Sequence, residues 1–264
     1  MVRAPFGHKS FGIREVVMAD DVVLVEKTPV EDGTGYSEIV INRPDRRNAL
    51  IPEAAEGVIN ALEDIDQDDN ISAVILRGQG GYFCSGIDLK ALQSGASMGS
   101  ARKDAIRQMH LAFYHYRKPL IAAFEGFGIN AGCALALACD LVVAGESSFI
   151  QIGEIQQGAP IPMNAAWMRL KLPEFVLARM ALLGDRITGP EMFRLGVATE
   201  CVPDDEVLSR SREMAARIAG FPAGGAINIK QSIVGQRQLP NVEQWFTSPR
   251  SNALQTAKML EPDP

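Results

Sequence analysis

Histidine is scarce in this chain, and its three copies, His8, His110 and His115, stand apart from the cysteines. No spacing among them resembles a metal-ligand set, so no metal is expected. The four cysteines, Cys84, Cys133, Cys139 and Cys201, form no CxxC pair and sit among apolar or small residues. They read as buried free thiols in a reducing compartment rather than as disulfides. Also missing is any run approaching the ~20 apolar residues of a membrane span. Met1–Asp20 lacks the continuous apolar core of a secretory leader. A soluble, cytoplasmic protein is the expectation. There is no block of like charge either: 26 Lys and Arg are mixed with 32 Asp and Glu, for a net charge of −6. That balance argues against nucleic acid as the main partner, while leaving room for a local basic patch that meets phosphate.

What is present is an ordinary globular composition, 47% hydrophobic and 22% charged, enough for one large domain with or without a tail. Pro5, Gly7 and Gly12 disfavour regular structure, so Met1–Asp20 is expected to be a loose extension. Val22–Glu26 and Glu38–Ile41 read as strands around the Asp32-Gly33 turn signal. Pro52 opens a predicted helix to about Asp66, with Ala55, Val58, Ile59 and Leu62 on one face. Ala73–Leu76, Pro119–Phe124 and Leu141–Ala144 are short apolar runs, as strands covered on both sides would be. Helical segments at about Ala101–Tyr116 and Ala131–Cys139 separate them. This alternation predicts an α/β architecture. From Met163 the pattern is mostly helical, with one brief strand near Glu200–Val202, and Ser248–Pro264 reads as a short terminal helix.

Two glycine-bearing turns carry the chemistry. The segment Gly80–Leu89 follows a buried strand and ends where a helix can begin, and Glu125–Leu135 repeats that arrangement. Small residues let a ligand approach the backbone, and the first N–H groups of a helix lack partners within it. Each segment alone also fits a plain tight turn or a closely packed helix. Together they offer two backbone donors from separate strand-to-helix turns. Such a pair makes an oxyanion hole for the enolate of a thioester, each donor being worth ~3 kcal/mol in the transition state.

The marks Asn42-Arg43-Pro44, Asn48-Ala49-Leu50, Phe83–Leu89, Gly126, Ala131-Gly132-Cys133, Ala138-Cys139-Asp140 and Glu154-Ile155 with Gly158 stand in a specific order. In them the chain resembles the crotonase superfamily, the enoyl-CoA hydratase/isomerase family, from about Val22 to about Val234. The resemblance implies a spiral of ββα units with a helical C-terminal region, divided as an extension at 1–20, an acyl-CoA-binding core at 21–200 and a helical oligomerisation region at 201–264. It implies an acyl-CoA thioester as substrate, no separate cofactor, and a homotrimer or homohexamer. By motif position the oxyanion amides map onto Cys84 and Ala131. Ser85, Gly86, Ile87 and Asp88 would line the CoA path, and Arg46 or Arg47 would reach a CoA phosphate; a solvated surface pair is the plainer reading of those arginines.

Hydratases of this family carry two glutamates. The first falls here on Ala134, which has no proton to exchange, and the second on Glu154, although the Phe149–Glu154 stretch is one residue longer than in typical hydratases. The aspartate used by dienoyl-CoA isomerases and chlorobenzoyl-CoA dehalogenases falls on Pro162. The pattern of one glutamate matches the Δ3,Δ2-enoyl-CoA isomerases: Glu154 would take a proton from C2 and return it at C4. Hydroxycinnamoyl-CoA hydratase-lyases also keep one glutamate, but they use a C-terminal tyrosine, and no tyrosine follows Tyr116. A hydratase recruiting Glu125 or a water, and a non-catalytic acyl-CoA binder, also stay open. His110 and His115 could border the acyl pocket or be structural.

Overall fold

The computed structural model describes residues 15–20, 22–31, 33–94, 100–237 and 242–246. In chain order the elements begin with β1 (Glu15–Asp20), β2 (Val23–Thr28), β3 (Gly35–Ile41), α1 (Pro52–Asp66) and β4 (Ile71–Gly78). There follow α2 (Leu89–Ser94), α3 (Ser100–His115), β5 (Leu120–Phe124), β6 (Phe127–Ile129), α4 (Ala131–Ala138), β7 (Leu141–Gly145) and β8 (Phe149–Gln151). The remainder is α5 (Pro162–Lys171), α6 (Glu174–Leu183), β9 (Ile187–Thr188), α7 (Gly189–Arg194), β10 (Glu200–Val202), α8 (Val207–Ala219), α9 (Gly225–Val234) and α10 (Val242–Trp245).

Seven strands form one sheet in the order β1-β2-β3-β4-β5-β7-β10, antiparallel through β3 and parallel from β3 onward. Because side chains alternate along a strand, each central strand feeds two cores. Val74 and Leu76 of β4, with Leu120 and Ala122 of β5, pack into the larger core beneath α1 and α3. Ala73, Ile75, Ile121 and Ala123 point the other way, where Val207 and Ala215 of α8 cover them. This double burial is why those strands read as unbroken apolar runs. An ion network is buried on the α8 side: Glu38 accepts from Arg77 at 2.7 Å and from Arg212 at 2.6 Å. Burial by itself would raise the Glu38 carboxyl, but the bonds and charges of the two arginines override it and hold it below its ordinary value.

A second sheet, β6-β8-β9, stands apart from the first and carries the loops of the site. Its strands are only two or three residues long, too short to leave a periodicity in sequence. The expected loose extension is corrected in part: Glu15–Asp20 pairs antiparallel with β2. His8 and Ser248–Pro264 lie outside the described residues. The boundary expected between 200 and 201 falls inside β10, which extends the main sheet against β7. Among the described residues no helix is long and apolar enough to cross a membrane, and all four cysteines are free thiols.

Candidate active site

The loop after β3 is tied to the loop after β4 by a buried asparagine. Asn48 donates through Nδ2 to the Gln79 carbonyl at 2.9 Å and the Tyr82 carbonyl at 2.6 Å, and accepts the Arg43 N–H at 3.0 Å. The Leu50 N–H then donates to the Gly86 carbonyl at 2.7 Å, and the Asp88 N–H to the Leu50 carbonyl at 2.9 Å. These bonds hold the two flanks of Ile87 and leave its own N–H without an acceptor among the described residues. The Ala131 N–H, at the first position of α4, is likewise without one. The turns meet: a Cβ added at Gly86, whose φ is +100°, would lie 3.8 Å from the Ala131 nitrogen.

Cys84 is placed differently from expectation. Its N–H donates to the Phe127 carbonyl at 3.1 Å in a parallel bridge with β6, so that amide is spent on the fold. The free donor on this turn is three residues further on, at Ile87. Motif position suggested Cys84 because the turn carries four successive amides, and only the pairing decides which are used. The Cys84 thiol is fully buried, which pushes it up to about 12 and removes it as a nucleophile.

Glu154 sits in a single 3-10 turn, Gly153–Gln157, that follows β8. Its Oε1 accepts from Asn164 Nδ2 at 3.3 Å, while Oε2 is buried with no partner among the described residues. Burial raises the carboxyl above its ordinary value; bonds from its own backbone N–H and from Asn164 oppose that rise without cancelling it. Cys133 is close enough for the Glu154 charge to add to the burial that raises its thiol. Ala134, beside Cys133, is fully buried and supplies no second acid.

Asn130 and Asn164 organise this arrangement, and sequence reasoning overlooked both. Asn130 adopts φ +53° and ψ −112°, a conformation a non-glycine residue rarely takes. It is held there because its Oδ1 accepts the Gly153 N–H at 2.8 Å and its N–H donates to the Gln151 carbonyl at 2.9 Å. Asn164, on α5, donates at 3.1 Å to the Asn130 carbonyl as well as to Glu154. One side chain thus couples the carboxylate to the start of α4. Asn164 lies ten residues beyond Glu154 with no motif around it, so no local signal marked it.

The remaining candidates divide. Arg46 is exposed and Ser85 Oγ donates to its carbonyl at 3.2 Å; the Ala91 N–H and Arg43 lower Asp88 against its burial, and the Arg46 charge adds to them, so Arg46 and Ser85–Asp88 share one rim. The Asp88 carboxylate itself is committed: it accepts the Ala91 N–H at 3.1 Å at the start of α2 and pairs with Arg43 at 3.0 Å. Glu125 is raised by burial, with Arg77 and Arg212 nearby. It lines a pocket of about 300 Å³ with Ser147, Asp204 and Asp205, which neither Glu154 nor Asn164 lines. His110 is buried; Trp167 donates to its Nδ1 at 3.0 Å and Phe246 stacks on it, so it is a core residue. His115 is exposed. Among the described residues no group of acidic, histidine or cysteine side chains could hold a metal ion.

The Ile87 and Ala131 N–H groups, without acceptors among the described residues, stand on two turns that meet, and Asn164 ties the buried Glu154 carboxylate to the residue before α4. The family model for enoyl-CoA hydratase/isomerase matches residues 31–256. The chain belongs to that family. An enoyl-CoA hydratase of Mycobacterium tuberculosis is 36% identical over 196 residues, 70% of this chain and 72% of the relative. The 2,3-dehydroadipyl-CoA hydratase of Escherichia coli is 30% identical over 217 residues, covering 79% and 84% respectively. In three dimensions, an enoyl-CoA hydratase/isomerase from Xanthobacter autotrophicus superposes with a TM-score of 0.74 at 27% identity, covering 91% of this chain and 87% of that one. The crotonase-type α/β fold and an enzyme of the enoyl-CoA hydratase/isomerase family are thereby established.

Proposed function

We propose that this enzyme shifts the double bond of a 3-enoyl-CoA to the conjugated 2-enoyl-CoA with one carboxylate. The observation that carries this reading is the isolation of Glu154: Oε2 has no partner among the described residues, and the residue that would place a second acid is the buried Ala134. In this reading Oε2 takes the C2 proton as the thioester oxygen gains charge between the Ile87 and Ala131 N–H groups. The electrons move to the thioester oxygen and return as the same carboxyl delivers the proton to C4. No cofactor, oxidant or metal enters that balance. General base catalysis contributes about 10²–10⁴-fold and each oxyanion donor about 10²–10³-fold. Arg46, exposed beside Ser85, is the side chain proposed to meet a CoA phosphate.

Hydration is the second reading, supported by the names of the relatives and by one feature of the site. Asn164 Oδ1 is a second buried acceptor without a partner among the described residues, beside a carboxylate that also has one. A water donating to such a pair could attack C3 while Glu154 carries its proton to C2. Incubation with 3-hexenoyl-CoA separates the two: an isomerase gives a conjugated product of unchanged mass. If that substrate is inert while 2-hexenoyl-CoA gains the mass of water, the hydration reading stands instead.

Self-association belongs to the same proposal. Phe175, Leu182 and Leu183 are exposed on α6, which packs against the Glu154 turn. An apolar face of this kind is a surface for a second copy of the chain, in a trimer or hexamer. The four free thiols support a reducing, cytoplasmic setting.

A further inference from the structure

A groove of about 790 Å³ runs along α9 against the ends of α4 and α5, and shares no lining residue with the Glu154 site. Its volume falls in the range of small-molecule sites, about 300–1,000 Å³. Val197, Ile218, Phe221 and Ile229 give it apolar walls, and four charged residues also line it: Lys171, Lys230, Arg237 and Asp140. The charges do not balance. Asp140 is already occupied, accepting the Leu120 N–H at 2.8 Å and pairing with Lys230 at 2.8 Å. Lys230 also donates to the Lys118 carbonyl at 2.8 Å. No carboxylate among the described residues pairs with Lys171 or Arg237. Lys171 donates to the Cys139 carbonyl and lies over the Trp167 ring, and Arg237 lies over the Tyr114 ring. Burial, opposed by Asp140 but reinforced by Arg237 and Lys230, holds the Lys171 amine down to about 8, so an arriving anion would relieve a crowded set of positive charges.

We infer that this groove is a second ligand site, for a free fatty-acid anion whose chain lies along the apolar wall and whose carboxylate meets Lys171 and Arg237. An acyl chain matches the walls; a single anionic head matches the unpaired cations. Neither feature is used by the acyl-CoA chemistry, so this site stands or falls apart from the proposed reaction.

The test is titration of the full-length protein with dodecanoate by calorimetry, with the acyl-CoA site saturated by butanoyl-CoA, a thioester with no double bond to shift. Dodecanoate should bind once per chain, and dodecanol, of the same length without the charge, at least tenfold more weakly. Arg237→Gln and Lys171→Met should each weaken dodecanoate about tenfold, while Arg237→Gln leaves turnover of enoyl-CoA unchanged. Equal binding of dodecanoate and dodecanol, or undiminished binding to both variants, overturns the proposal. So does absence of binding; if Ile229→Glu then lowers the solution mass, the groove is an interface between copies. Should Lys171→Met unfold the chain, Arg237→Gln, on a residue beyond α9, still decides the result.

Discussion

At Glu154 the carboxyl is raised because burial disfavours its charge and only Asn164 and its own backbone N–H oppose that. The sign of the pH dependence follows. The base form is the ionised one, so kcat should rise with pH through a limb above the ordinary carboxylate value of 4.5. Asn164→Ala removes a bond that lowers the carboxyl, so that limb should move to higher pH, and Asn164→Asp, which adds a like charge, should move it further. A fall in kcat with an unmoved limb would make Asn164 merely structural. Glu154→Gln should cost about 10²–10⁴-fold in kcat and leave butanoyl-CoA affinity within about threefold. In stability the sign reverses. A carboxyl raised in the folded state favours folding in its protonated form, so that contribution declines as pH rises above 4.5, and Glu154→Gln should raise Tm at neutral pH. Cys84→Ala should retain activity, because the turn's free donor is the Ile87 amide. Glu154 was proposed from its spacing to Gly158, which is written along the chain, whereas the Asn164 contact and the pairing around Ile87 are not. A hydrogen bond between residues on different elements leaves no pattern along the chain.

At the scale of elements, the site depends on how closely α4 approaches the Cys84 turn. Gly132 makes that approach possible, since a Cβ there would lie 2.2 Å from the Cys84 carbonyl oxygen. Gly132→Ala should therefore push α4 away, costing about 1–3 kcal/mol in urea unfolding and most of the activity. Gly225→Ala, in α9 with nothing within 4 Å, is the control and should be neutral or slightly stabilising. The main strands and α1 were readable because burial on both faces, or on one helical face, imposes a composition. The second sheet was not: β6 and β8 exist because the Cys84, Phe127 and Phe149 segments pair with one another, and three residues carry no period.

For the whole molecule, the buried His110 sets an acid limit. Burial pushes its imidazole down to about 3, so the folded state stays neutral where the unfolded chain takes up a proton. Stability should be undiminished above pH 6.5 and fall below it by about 1.4 kcal/mol per unit toward pH 3, from this group alone. Urea unfolding between pH 7 and 5 measures this, and His110→Phe should flatten that part of the profile. Light scattering should give a mass near three or six times 28.6 kDa, and Leu183→Glu on α6 should lower it. By itself the sequence determined the α/β class, the two strand-to-helix turns and the alanine at position 134, because each is written in neighbouring residues. Tertiary structure alone decided which amides remain free, that Glu125 faces Arg77 and Arg212 rather than Glu154, and that Asn164 grips the carboxylate. Those depend on which distant polar groups satisfy one another when buried, and burial is a property of the folded chain.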